Sequence, residues 1–319
     1  MDPNATYRRL VPVDRLGSPV TPSDDVYVIA HMGIARVDLA QWRLAVDGLV
    51  ERPFELDYAA LTALPATEVT AVLECFGNPV EPEVATRRVG NVVWRGVRLS
   101  HLLERAGVRA EARYVCPEGL DSGSFANVHS ERYVKDLPLA RTLEPDVLVA
   151  WAMNDAPLTP EHGFPARVFV PGYFGTNAVK WLSRITLAAE RPESLFTTRL
   201  YNRREAGELR PVRELDVHAV IVTPADGATL ARGRHAIEGW AWSAWPVHAV
   251  DVSTDGGATW QPTRVTPRDK GHQWQAFTYA WDAATSGRYA LSARGTDERG
   301  RVQPAAGRNR IHTIGVVVE

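Results

Sequence analysis

Only two cysteines occur in the 319 residues, and Cys75 stands at the tip of an apolar run. In TEVTAVLECFGNP the strand-like stretch ends on this thiol, and a Phe-Gly-Asn-Pro turn follows. A cysteine that only packs belongs inside such a run; at its end, a ligand can reach it. Two chemistries suit that place, a nucleophile and a soft metal ligand, and both need the thiolate. A nucleophile wants a histidine base close by, and nine histidines leave that choice open. The plain alternative is a small buried hydrophobe.

A second constellation lies in EHGFPARVFVPGYFGTNAVKW, which gathers His162, Arg167 and Lys180 around turn glycines. Arginine offers a planar donor fork, lysine a point charge, and glycine turns expose backbone N–H groups, together an anion cradle. The same residues also read as a strand with its charged side chains in water. GYFGTN contains neither a phosphate loop of the GxxxxGK type nor a dinucleotide fingerprint. CPEGLDSG puts Asp121 in a turn after a strand, a position where most aspartates simply bond the backbone. Trp240 and Trp242 of GWAWSAW alternate onto one face, the pattern of core or interface packing.

These residues need elements to hold them. Residues 1–25 read as an irregular arm. WRLAVDGLV, TEVTAVLEC, RYVCPEG and ARVFVPG have strand composition. DYAALTALP reads as a short helix capped by Asp57, and LSHLLERAGV as a helix capped by Ser100 and closed by Gly107. The mixture predicts an α+β domain over residues 1–210. From about Val217 helical periodicity is lost, and short strands alternate with Gly, Asp and Pro turns. That spacing predicts an all-β immunoglobulin-like sandwich over residues 211–319.

A formal charge of −2 gives no electrostatic case for nucleic acid or anionic membrane. No apolar run reaches the roughly 18–20 residues of a membrane span. The first residues lack a signal-peptide core, so the expected compartment is the cytoplasm, or the periplasm if the chain is a processed form. Two cysteines outside any CxxC pair exclude a disulfide framework, thioredoxin-like chemistry and c-type haem attachment.

In order and spacing, YVIAH, WRLAVDGLVERPFEL, LECFGN, VGNVVWRGVRLSHLLERAGV, VCPEGLD, PLTPEHGFPARVFVPGYFGTNAVKWLSRITL and IEGWAWS resemble the sulfite oxidase family of molybdenum enzymes. The resemblance spans about Val26 to Val318. It implies a molybdopterin-binding domain followed by a dimerisation domain, and a homodimer. By the same match, Cys75 is the thiolate ligand of molybdenum. His31, Asp121, His162, Arg167 and Lys180 hold the pterin and its phosphate, and Tyr201 is the active-site hydroxyl. The implied reaction is oxygen-atom transfer at molybdenum, with sulfite or another small sulfur compound as substrate. Electrons pass to a separate acceptor such as a cytochrome.

The departures concern the substrate side. Where sulfite-oxidising members carry Arg-Asn before the histidine, this chain has Ile29 and Ala30; Pro79 and Val80 replace an arginine after the cysteine motif. A third family arginine is absent from AWPVHAV. Each lost charge-assisted hydrogen bond costs an oxyanion about 1.5–3 kcal/mol. Either Arg87 or Arg88 restores charge to the shortened loop, or the mouth is wider and suits a less charged sulfur compound. The alternatives are a sulfoxide-type reductase on the same centre, a catalytically silent molybdopterin-binding protein, and a thiol hydrolase.

Overall fold

The structure is a computed structural model that describes residues 5–79, 81–205, 207–268 and 271–319. Its chain forms two compact units. The first comprises the segment ending at Arg9 with Val28–Val69 and Val93–Arg213; the second comprises Leu10–Tyr27, Thr70–Val92 and Glu214–Glu319. The residue 1–25 arm is therefore not irregular throughout. Tyr7–Arg9 pairs with Val28–Ala30 in the first unit, and Val11–Pro12 pairs with Thr86–Arg87 in the second.

In the first unit a five-stranded sheet runs in the order Leu137–Pro138, Tyr114–Gly119, Leu182–Ala188, Leu44–Gly48, Phe54–Leu56. Only the pair Leu182–Ala188 with Leu44–Gly48 is parallel. A second sheet is centred on Leu148–Met153, an unbroken apolar strand buried at every position, as a strand covered on both faces requires. It pairs with Val89–Arg98 and Arg167–Phe169. Leu44, Val46, Val149, Val168 and Ile185 meet in one core. The helix Leu99–Ala106 adds Leu99, Leu102, Leu103 and Ala106 to it, the i, i+3, i+4, i+7 face of an amphipathic helix.

That helix starts differently from the expectation. Arg98, not Ser100, occupies the N-cap, with no side-chain cap bond. The strand Val89–Arg98 runs straight into the helix, so no residue is free to cap, and Leu99 N–H donates instead to the Val147 carbonyl at 2.8 Å. The C-terminus follows the expectation: Gly107 sits at φ 71° and its N–H bonds back to Leu103. Asp57 likewise caps Tyr58–Thr62 through the Ala60 N–H.

In the second unit two sheets make a sandwich. One has the order His218–Thr223, Gly233–Trp242, Gln275–Ala283, Arg264–Val265. The other has the order Thr229–Leu230, Thr313–Val318, Gly287–Asp297, Val247–Ser253, Gln261–Pro262. Ile237 and Phe277 from the first sheet pack with Val250, Leu291 and Val316 from the second. Trp240 and Trp242 both pack against Trp274, at centroid distances of 4.8 and 6.4 Å. No helix among the described residues is long and apolar enough to cross a membrane.

Candidate molybdenum-cofactor site

The strand Ala66–Glu74 ends one residue before Cys75, so the thiol does stand at a strand tip, partly exposed. The turn behind it is closely built. Cys75 N–H donates to the Arg88 carbonyl and Asn78 N–H to the Cys75 carbonyl, both at 2.9 Å. Gly77 N–H points at the sulfur, 3.4 Å away. Asn78 is buried; its side-chain oxygen takes the Arg88 N–H at 2.7 Å, and its amide donates to Glu74 at 3.0 Å. The other Glu74 oxygen accepts from the Trp242 indole at 2.8 Å. Burial pushes the Glu74 carboxyl up to about 7, against those two hydrogen bonds.

Burial also raises the Cys75 thiol, while the Gly77 N–H and the charge of Arg88 pull it down. Of the two loop arginines, Arg88 is thus the one beside the sulfur. Arg87 is fully buried and donates to the carbonyls of Pro82 and Thr86 at 3.1 and 3.0 Å, with His312 at 3.2 Å. It braces the loop from inside and has no freedom to swing. Arg308, which motif reading passed over, lies 4.5 Å above the Phe76 ring and donates to its carbonyl at 3.2 Å. Val80 falls outside the described residues. The second cysteine, Cys116, is buried in a strand, its thiol pushed up to about 12.

The other six expected residues all belong to the first unit. Three of them converge. Lys180 Nζ donates to the carbonyls of Ile29 and Glu161 at 3.1 and 2.8 Å. Arg167 donates to the carbonyls of His162 and Ala178 at 3.0 and 3.1 Å, and His162 Nε2 stands 3.3 Å from the Arg9 guanidinium. Arg9 carries no motif and was invisible in the sequence. Asp121 is buried, and its charge acts on Lys180. Gly163 turns at φ 102°, and a Cβ there would strike the Lys180 side chain at 2.8 Å. Only glycine allows that approach.

Burial and the neighbouring Arg167 press Lys180 down to about 7, and burial lifts Asp121 to about 6. Buried cations that repel one another are costly unless an anion joins them. The donor set therefore fits a phosphate.

His31 and Tyr201 form a separate contact: His31 Nε2 and the Tyr201 hydroxyl share a short hydrogen bond. His31 lies against Phe125, centroids 4.0 Å apart, and within 6.0 Å of Phe196. Tyr201 has φ 56°, in the left-handed region. Neither aromatic wall was singled out from the sequence, where an isolated Phe carries no signal.

Residues 31–196 match the family described as the oxidoreductase molybdopterin binding domain, and residues 210–317 that described as the Mo-co oxidoreductase dimerisation domain. The chain belongs to the sulfite oxidase family of molybdopterin-dependent oxidoreductases. It is 34% identical to rat mitochondrial sulfite oxidase over 274 residues, covering 78% of this chain and 50% of that one. It is 32% identical to a barley nitrate reductase, over 92% of this chain and 38% of that one. The chain thus spans about half the length of the mammalian sulfite oxidases it matches. Among solved structures it resembles the sulfane dehydrogenase SoxCD of Paracoccus pantotrophus, with TM-score 0.84 and 29% identity over 98% of this chain and 82% of that one.

The family's cofactor is molybdenum-molybdopterin, and the residues fit it in two respects. A thiol at a strand tip suits a soft metal that takes its other sulfur ligands from an organic dithiolene. The cation cluster suits that molecule's terminal phosphate. Among the described residues no three His, Cys, Asp or Glu side chains come together as a protein metal cage.

Proposed function

We propose that the protein transfers an oxygen atom to a small sulfur compound. The bound molybdenum cofactor supplies the two-electron oxygen-atom-transfer chemistry. Cys75 is its thiolate ligand, and the Gly77 N–H at 3.4 Å moderates how strongly that sulfur donates. Lys180, Arg167 and His162 hold the phosphate, Asp121 sets the charge of Lys180, and His31 orients the Tyr201 hydroxyl towards the reacting side. Phe125 and Phe196 flank the imidazole. The observation that carries the reading is the cysteine at the strand tip, held by a turn whose N–H faces the sulfur.

Residues 1–210 act as the catalytic domain and 211–319 as the dimerisation domain of a homodimer. The electrons leave to a separate carrier such as a cytochrome. Sulfur chemistry is favoured because sulfite oxidases and a sulfane dehydrogenase recur among the relatives. Ile29 and Pro79 stand where sulfite-oxidising members carry arginines, so a singly charged or neutral sulfur compound suits better than sulfite.

The test is a steady-state survey of the molybdenum-loaded protein with sulfite, thiosulfate, persulfides and organic sulfides, with ferricyanide as acceptor. Turnover on at least one is expected. Sulfoxide-dependent oxidation of reduced viologen with no oxidative turnover would reverse the assigned direction.

A further inference from the structure

Lys135 is fully buried, yet nothing in the cofactor reading uses it. An ammonium at that depth needs a reason, because burial, with Arg213 and Arg191 nearby, presses it down to about 8 against the pull of Asp136. Its Nζ donates to the Phe196 carbonyl at 2.7 Å and lies 5.7 Å from the centre of the Tyr201 ring. Phe196 belongs to Leu195–Arg199, a turn of π-helical spacing, in which carbonyls lose their ordinary helical partners.

Side chains take over those carbonyls. Besides Lys135 on Phe196, Arg191 donates to Thr197 at 2.8 Å, and Asn202 donates to Thr197 and Leu200 at 3.0 and 2.9 Å. The buried Asp136 anchors Arg191 at 2.7 Å and Arg213 at 3.1 Å. Two residues beyond the turn stands Tyr201, whose left-handed backbone costs a non-glycine residue about 1–2 kcal/mol. Such a conformation persists only where its surroundings enforce it.

We propose that Lys135 is the positioning residue of the Tyr201–His31 pair: its ammonium pins the Phe196 carbonyl, and with it the turn that presents the phenol. The inference rests on the reading that Tyr201 serves the reaction, and it adds a residue from outside every motif. Without Nζ, the Phe196 carbonyl is buried without its donor, and the turn relaxes to recover a partner. The phenol then leaves the imidazole.

The test compares the full-length wild type with Lys135→Met and Lys135→Arg, each labelled with carbon-13 at the tyrosine Cζ. Tyr201→Phe assigns the resonance. Spectra of cofactor-free protein are expected to show the Tyr201 signal moving towards that of an exposed tyrosine in the Met variant, and returning in the Arg variant. In loaded protein kcat falls about 10- to 100-fold with KM little changed, the cost of a misplaced group. Should the Met variant not fold, Lys135→Gln replaces it, being one bond too short to reach the carbonyl. An unmoved resonance in a folded variant overturns the proposal, even if its melting temperature falls. Wild-type protein that takes up neither molybdenum nor pterin sinks the site reading instead, and the cofactor-free spectra still decide the role of Lys135.

Discussion

Cys75→Ser is expected to abolish turnover while leaving the fold in place. Losing an outer partner of a metal ligand already costs about 10- to 100-fold in affinity or activity, so losing the ligand itself costs more than that. A serine hydroxyl is close in size to the thiol but is neither soft nor ionised near neutral pH, and it makes a poor bond to the metal. The fold survives because the turn is held by its backbone and by Asn78, not by the sulfur. The melting temperature is expected to stay within a few degrees, since an isosteric change at a partly exposed site is worth about 0.5 kcal/mol. Activity assays and a thermal melt on the same preparation check both halves. Full activity in the serine variant would remove Cys75 from the chemistry and leave it a packing residue.

Lys180→Met is expected to weaken retention of the pterin by about 10- to 150-fold, the equivalent of one charge-assisted hydrogen bond of about 1.5–3 kcal/mol. A pH dependence comes with it. In cofactor-free protein Lys180 is pressed down to about 7 and Asp121 is lifted to about 6. Raising the pH from 6 to 8 therefore takes away most of the Lys180 charge and completes the ionisation of Asp121, and both changes oppose an incoming phosphate.

Linkage to stability has its own sign. An unfolded lysine titrates near 10.4, so between about 7 and that value the unfolded chain holds more protons at this site. The penalty for burying the ammonium is full below 7 and fades as the pH rises through that window. Reconstitution of apoprotein with purified cofactor is expected to become less efficient from pH 6 to pH 8 in the wild type. The lysine part of that decline is absent in the Met variant. An unchanged pterin content in Lys180→Met would take the lysine out of the cradle.

How far the site was legible depended on how local each feature is. Cys75 at a strand tip follows from a short apolar run and a turn, both written in adjacent residues, and the Gly107 and Asp57 caps were legible for the same reason. His162, Arg167 and Lys180 fall within one 19-residue stretch, so a turn suffices to gather them. The His31–Tyr201 contact joins residues 170 apart and depends on a π-helical turn, which no propensity signals; only the family resemblance picked out these two.

Arg87 and Arg88 show the same limit at close range. Arg87 ends a short strand and Arg88 is the single residue before the next, and composition alone does not say which one is buried. Lys135 stayed hidden because a lysine beside an aspartate in YVKDLP reads as a solvated pair. Ser100 was misread because the strand before it leaves no connecting residue to serve as a cap.

One molybdenum cofactor per chain is expected to be held through Cys75. The most direct test is metal analysis with release of the oxidised pterin fluorophore, on wild type and Cys75→Ser from a host that makes the cofactor. About one molybdenum and one pterin per wild-type chain are expected, and in the serine variant a loss of molybdenum exceeding any loss of pterin. Folded wild-type protein carrying neither would contradict that expectation.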